Sequence, residues 1–447
     1  TVDHFISYYS NASYEWKSRY TISASAREDQ ANLFGVKTNQ KGTPLWSAGL
    51  AWKIDKEAFY KCTWLPALKL RASYGHNGNI SRLASAYTTA SFYGAAYSSN
   101  IAATILNPPN NHLRWEQVGI FNAGLDFSFR RELLSGTIEY YRKNAQDLMG
   151  QSPVDPTLGL ANNAGGNFFY GNVAAMKGSG WDIQVNSRNL QRVFSWTTHL
   201  LFSFTNSHVT QYSMPVSAAG STYLTIAGYS INPVLGRPVF SVYSYPWRGL
   251  DPANGDPIGY LNGGTSKNYA SINTNTLLDS MVCNGPAQPL YTAALRNDFA
   301  YKNWSLSVNI SYKGGNYFRR PSISYSDLFA NWSGNADYAR RWQHAGDELY
   351  THVPSLVYPA NAARDVFYAN SAVLVEKADN IRLEDVVLAY EWRQKSATKG
   401  PFSSLRFYLY AANFGPLWTA AHDHIDPYYN NIPTDRLKLS VGVTAQF

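Results

Sequence analysis

Apolar and polar residues alternate one for one along this chain, in segments about ten residues long, the length a tilted strand needs to cross a bilayer. The closing stretch "RLKLSVGVTAQF" is typical. Leu437, Leu439, Val441, Val443, Ala445 and Phe447 alternate with Arg436, Lys438, Ser440, Gly442, Thr444 and Gln446. In "WSLSVNISY", Trp304, Leu306, Val308, Ile310 and Tyr312 take one face; Ser305, Ser307, Asn309 and Ser311 take the other. "YTISASAR" (20–27) and "LKLRASYG" (68–75) repeat the pattern, with Tyr or Trp often at the ends of the apolar face. A soluble antiparallel sheet alternates in the same way, with its apolar face on a core. A transmembrane barrel puts that face on lipid and the polar face on its lumen. Properties of the whole chain separate the two.

Charged residues make up only 15% of the 447 residues, against a typical quarter, while aromatics also reach 15% and 33 residues are Tyr. Amphipathic rings in such number suit a membrane–water interface. No run of 18 apolar residues occurs, which excludes a transmembrane helix and leaves a barrel open. The net charge of +8 invites a nucleic-acid reading, but basic residues cluster no further than pairs such as Arg319-Arg320, and no nucleic-acid motif occurs. No nucleic-acid partner is expected. The start, "TVDHFISYYS", shows no signal-peptide pattern.

The alternation predicts strands near 5–14, 18–28, 44–54, 67–77, 114–129, 134–148, 174–188, 194–211, 291–302, 304–317, 380–392, 404–414 and 436–447. In "NIRLEDVVLAYEW" the apolar phase passes from Ile381 and Leu383 to Val386, Leu388 and Tyr390, which predicts a β-bulge. The links alternate in length. Short ones are "EWK", "RREL", "NLQRV", "KN" and the moderate "RQKSATKGP"; long ones lie near 29–43, 78–113, 149–173, 212–290, 318–379 and 415–435. Outer-membrane barrels place short turns in the periplasm and long loops outside. The expected fold is therefore an all-β antiparallel transmembrane barrel. By parity "PVFSVYSY" is no crossing, and the 212–290 segment that holds it is an extracellular excursion, a hairpin above the membrane. Parity also puts Cys62 and Cys283 at opposite ends, so no disulfide is expected between them. Thirteen crossings do not close a barrel with both ends in the periplasm, so further strands are expected outside this sequence, one pairing with 5–14.

Particular strings then carry a resemblance. "SAREDQANLFG" (25–35), "LKLRASYGHNGN" (68–79), "RWEQVGIFNAGLDFSF" (114–129), "LSGTIEYYRKNAQDLM" (134–149), "DNIRLEDVVLAY" (379–390), "AANFGPLWT" (411–419), Asp426-Pro427 and Phe447 follow one another in order. As a set they resemble the C-terminal barrel portion of SusC/RagA-type TonB-dependent outer-membrane transporters. Ala174, Gly178 and Asp182 in "NVAAMKGSGWDIQV" depart from the family pattern. The resemblance implies a 22-stranded barrel around a plug, with the plug and TonB box outside this sequence. It further implies a Gram-negative outer-membrane location, TonB-energised import of an oligosaccharide or oligopeptide, and a SusD-like surface lipoprotein as lid. Phe447 would end the assembly signal.

No GxSxG, HExxH or CxxC motif occurs, so no enzyme and no cofactor are expected. Trp247, Tyr317, Trp332 and Trp342 lie in long links, where they either stack on cargo or pack the loops. They are the candidate substrate contacts. "AHDHIDP" offers His422, Asp423, His424 and Asp426 as metal ligands, but a polar turn explains them and no metal is expected. "DPANGDP" (251–257) lacks the spacing and distal Glu of a calcium loop. The alternative function is a passive porin or adhesion barrel.

Overall fold

The computed structural model describes residues 4–31, 42–79, 86–94, 97, 100–110, 112–153, 168–225, 228–394, 402–429 and 435–446. Thirteen long strands occur among them, each on a segment predicted by alternation. They are β1 (Phe5–Trp16), β2 (Tyr20–Ala31), β3 (Gly42–Lys53), β4 (Ala67–Asn79), β5 (Glu116–Ser128), β6 (Leu134–Pro153), β7 (Phe168–Gln191), β8 (Phe194–Tyr212), β9 (Tyr291–Tyr301), β10 (Trp304–Gly314), β11 (Asn380–Arg393), β12 (Ser404–Ala412) and β13 (Lys438–Gln446). The long links expected at 29–43, 78–113, 149–173 and 415–435, and Phe447 itself, lie partly or wholly outside the described residues.

The chain divides into two units, residues 1–187, 203–216 and 233–237, and residues 188–202, 217–232 and 238–447. In the first, β1 to β7 pair in sequence order, and every pair is antiparallel. Cross-strand rows give each face one character. Tyr14, Ile22, Leu50, Ala72, Ala123, Tyr140 and Trp181 are successive partners on one face. One residue on, the row is Glu15, Thr21, Ala51, Arg71, Gly124, Glu139 and Asp182. On that polar face Arg71 Nε lies 3.1 Å from Asp126 Oδ1, and Arg71 also pairs with Glu139. Gly124 permits this: a Cβ there would stand 2.9 Å from the guanidinium carbon.

The apolar face is open. Ile22 is 57% and Leu50 61% exposed, which a water-facing sheet does not sustain over a contiguous wall. At the short-turn end Trp16, Tyr20, Trp52 and Phe59 follow one another at ring separations of 5.6, 6.4 and 6.4 Å, as an interfacial girdle requires.

In the second unit β9 to β13 again pair in order. The turn between β9 and β10 is Lys302-Asn303, with Lys302 at φ 52°. The predicted bulge is at Glu384: Asn309 faces Asp385 and Ile310 faces Leu383, so Glu384 is the extra residue. Asn309 and Ser311 hydrogen-bond to Asp385 and Glu384, which puts the serine-bearing face of β10 on the polar side. Leu306, Val308 and Ile310 share the other face with Phe299, Leu388 and Val386. Within 212–290, Ser241–Ser244 does not form a hairpin with its chain neighbour but pairs with the distant Val282–Pro286 in a two-stranded sheet of its own. Cys62 and Cys283 are both free thiols.

Candidate functional site

The second unit carries a folded layer on the links between its long strands, built from 217–225, 228–232, 238–290 and 315–379. Three short helices anchor it: α1 (Tyr269–Asn275), α2 (Tyr325–Asn331) and α3 (Ala362–Ala369). Each is N-capped by a side chain, Asn268, Ser324 and Asn361 respectively. Tyr245, Tyr269, Ile272 and Phe367 form one core; Ile323, Tyr325 and Val353 form a second. Burial pushes the Tyr245 and Tyr368 phenols up to about 12.

Charge is buried with this layer. Arg320 bridges Asp337, at 2.5 Å, and Glu376, at 2.9 Å, and Arg340 closes on the other Asp337 oxygen. Burial alone would raise the Asp337 carboxyl, but hydrogen bonds from Ser322, Arg320 and Arg340 outweigh it and hold it below the ordinary range. Burial lowers Arg319 to about 10; its guanidinium donates to Asn370 Oδ1 at 2.9 Å and to the Tyr243 carbonyl. In the 251–257 turn, Lys267 Nζ lies 2.6 Å from Asp251 and Arg364 Nε 3.0 Å from Asp256, so side-chain cations already occupy the carboxylates.

The four candidate aromatics have different surroundings. Trp247 stacks on Phe367 (6.4 Å) and packs on Tyr368 (5.9 Å), against the first core. Trp342 is buried, with Nε1 donating to Glu348 at 3.0 Å. Tyr317 is half-buried and lines a cavity with Tyr428, Lys313 and Arg319. Trp332 ends α2 in the left-handed conformation, φ 56°, and is 91% exposed. Phe329, Leu349, Tyr350 and Tyr358 in the same segment are also exposed, a surface the sequence reading missed.

Of the metal candidates, Asp426 is engaged at both carboxylate oxygens by Arg382 Nη1, at 2.8 and 2.9 Å. The backbone N–H of His422 donates to Glu376 at 2.5 Å, and its ring is 86% exposed. His424 sits at φ 54° in the 3-10 turn His422–His424. Among the described residues no three His, Cys, Asp or Glu side chains converge as a metal site. A cleft of 670 Å³ lies beside His422, lined by Arg320, Arg340, Arg341, His352 and Tyr350.

Comparison with known proteins gives the same architecture. The family model described as "TonB dependent receptor-like, beta-barrel" matches residues 2–333. TonB-dependent receptor P39 of Formosa agariphila is 25% identical over 438 residues, covering 88% of this chain and 40% of that protein. TonB-dependent receptor SusC of Bacteroides thetaiotaomicron is 25% identical over 362 residues, covering 74% of this chain and 34% of that protein. The RagAB peptide importer in its open-open state superposes with a TM-score of 0.79 at 20% identity, covering 99% of this chain and 47% of that one. The chain thus spans less than half the length of the relatives it matches.

Proposed function

Because this chain belongs to the TonB-dependent receptor β-barrel family, of SusC/RagA type, and forms outer-membrane barrel wall, we propose that the intact protein imports a large nutrient energised through TonB. The cargo is an oligosaccharide or an oligopeptide, and a SusD-like surface lipoprotein covers the long loops. The loops at 212–290 and 318–379 are extracellular, and the protein is a carrier rather than an enzyme. The wall and loops described are one portion of that machine, with the plug that couples to TonB contributed by sequence beyond it.

The observation that carries this reading is the folded layer on the long-link end of the second unit. A passive pore functions with short connections, whereas a receptor must hold cargo before the lumen opens. Two aromatic cores and a buried Arg–Asp–Glu network make the layer a rigid platform rather than a set of tethers. Of the four candidate aromatics, Tyr317 and Trp332 face cargo or lid, whereas Trp247 and Trp342 serve the layer by packing. In the passive-barrel alternative the same aromatics only pack loops or adhere to surfaces.

Deleting the gene tests the reading. Uptake of labelled oligosaccharide or oligopeptide should fall to background while permeability to small solutes is unchanged. Lost small-solute permeability would favour the passive barrel.

A further inference from the structure

The cavity beside Tyr317 has a composition that neither packing nor the wall requires. It measures 210 Å³, roughly seven water volumes, about the size of one hexose or one dipeptide. Its lining includes two cations, Lys313 and Arg319, and no carboxylate. Lys313 is the last residue but one of β10, with Nζ 4.5 Å from the centre of the Tyr428 ring. Among the described residues no carboxylate lies within ion-pair distance of it. The neighbouring charges are otherwise engaged: Asp379 accepts from the Gly315 N–H at 2.9 Å, and Asp426 holds Arg382. Arg382 packs on the same Tyr428 ring at 4.8 Å, which fixes the ring as a wall.

Two asparagines complete the lining. Asn316 and Asn380 spend their amide N–H groups on the carbonyls of Ala287 (2.9 Å) and Ala378 (2.7 Å). Their Oδ1 atoms are buried, with no donor among the described residues. Buried acceptors in native proteins find a donor in protein, water or ligand. The cavity thus offers a flexible ammonium, a fixed positive field from Arg319, and the rings of Tyr317 and Tyr428.

We propose that this cavity binds a carboxylate carried on a small body, with Lys313 as the counter-ion. A uronic acid residue of a saccharide and the C-terminal residue of a peptide share that chemistry. The inference rests on the import reading for the origin of the ligand, since either would be the acidic end of a cargo.

The test uses the full-length protein purified from outer membranes in detergent. Calorimetry compares D-glucuronate with D-glucose, and glycylglycine with glycylglycine amide. At least one acid should bind ten-fold or more tightly than its neutral partner. Preference for the uronate alone identifies an acidic saccharide, and for the dipeptide alone a peptide end; preference for both identifies the carboxylate as the shared determinant. Lys313→Met should abolish the preference while heat-modifiable gel mobility stays that of the folded barrel. Equal binding of acids and neutral partners, absence of binding by all four, or a preference that survives Lys313→Met would overturn the proposal. Acid binding without import would overturn the transport reading alone; import without acid preference would overturn this inference alone.

Discussion

Arg382 Nη1 lies 2.8 Å from Asp426 Oδ1 and 2.9 Å from Oδ2, and both side chains are about nine-tenths buried. The pair ties the loop before the last strand to β11, and it presents Tyr428 to the cavity. Removing one partner of a buried pair leaves the other charge without compensation, at a cost of about 3–5 kcal/mol. Arg382→Met should therefore expose the 413–429 segment to limited proteolysis, with the strands still resistant. A digestion pattern identical to wild type would show that the pair does not hold the loop.

The Asp337 network predicts an acid limit for the loop layer. Its carboxyl is lowered in the folded state. The sign follows: the stabilisation is full above the unfolded value of about 3.9 and is lost as pH falls through the lower folded value. Hydrogen exchange of 315–379 should accelerate on acidification below that unfolded value, before the strands open. Asp337→Asn should raise exchange at neutral pH and flatten the acid dependence.

Aromatics in the same loops should behave differently. Trp247→Ala removes a ring packed on Phe367 and Tyr368 and should destabilise the layer by about 3 kcal/mol, read by denaturant unfolding of the loop signal. Trp332→Ala removes a ring that is 91% exposed, and should leave stability within about 0.5 kcal/mol while weakening cargo or lid binding. Equal stability losses in the two variants would contradict these placements.

The register of β10 has its own test. Val308→Arg puts a cation on the lipid face and should cost about 2–4 kcal/mol near the bilayer midplane. Ser307→Arg faces Asp298 across the ladder on the polar side and should be tolerated. Folding efficiency into vesicles measures both, and the opposite ranking would invert the faces.

The wall was legible in the sequence because its contacts are periodic. Alternation placed all thirteen strands, and a one-residue phase slip put a bulge between Leu383 and Val386, where the structure has it at Glu384. The loop layer was not legible to the same depth. Its ties join residues far apart in sequence, Arg320 to Asp337 and Glu376, or Arg319 to Tyr243 and Asn370, without any repeat. Trp247 and Trp332 look alike in composition, each in a polar loop. Only the fold separates a ring stacked on Phe367 from one standing clear of a helix end. Likewise the sequence reads Asp426 as part of a polar turn, and only the fold puts Arg382 on it.

Energy coupling is the central claim, and uptake by intact cells with the proton-motive force collapsed tests it most directly. Import of labelled oligosaccharide or oligopeptide should stop when a protonophore is added and resume when it is washed out, with the protein still in the outer membrane. Uptake continuing at the same rate without the proton-motive force would contradict the account and identify a passive barrel.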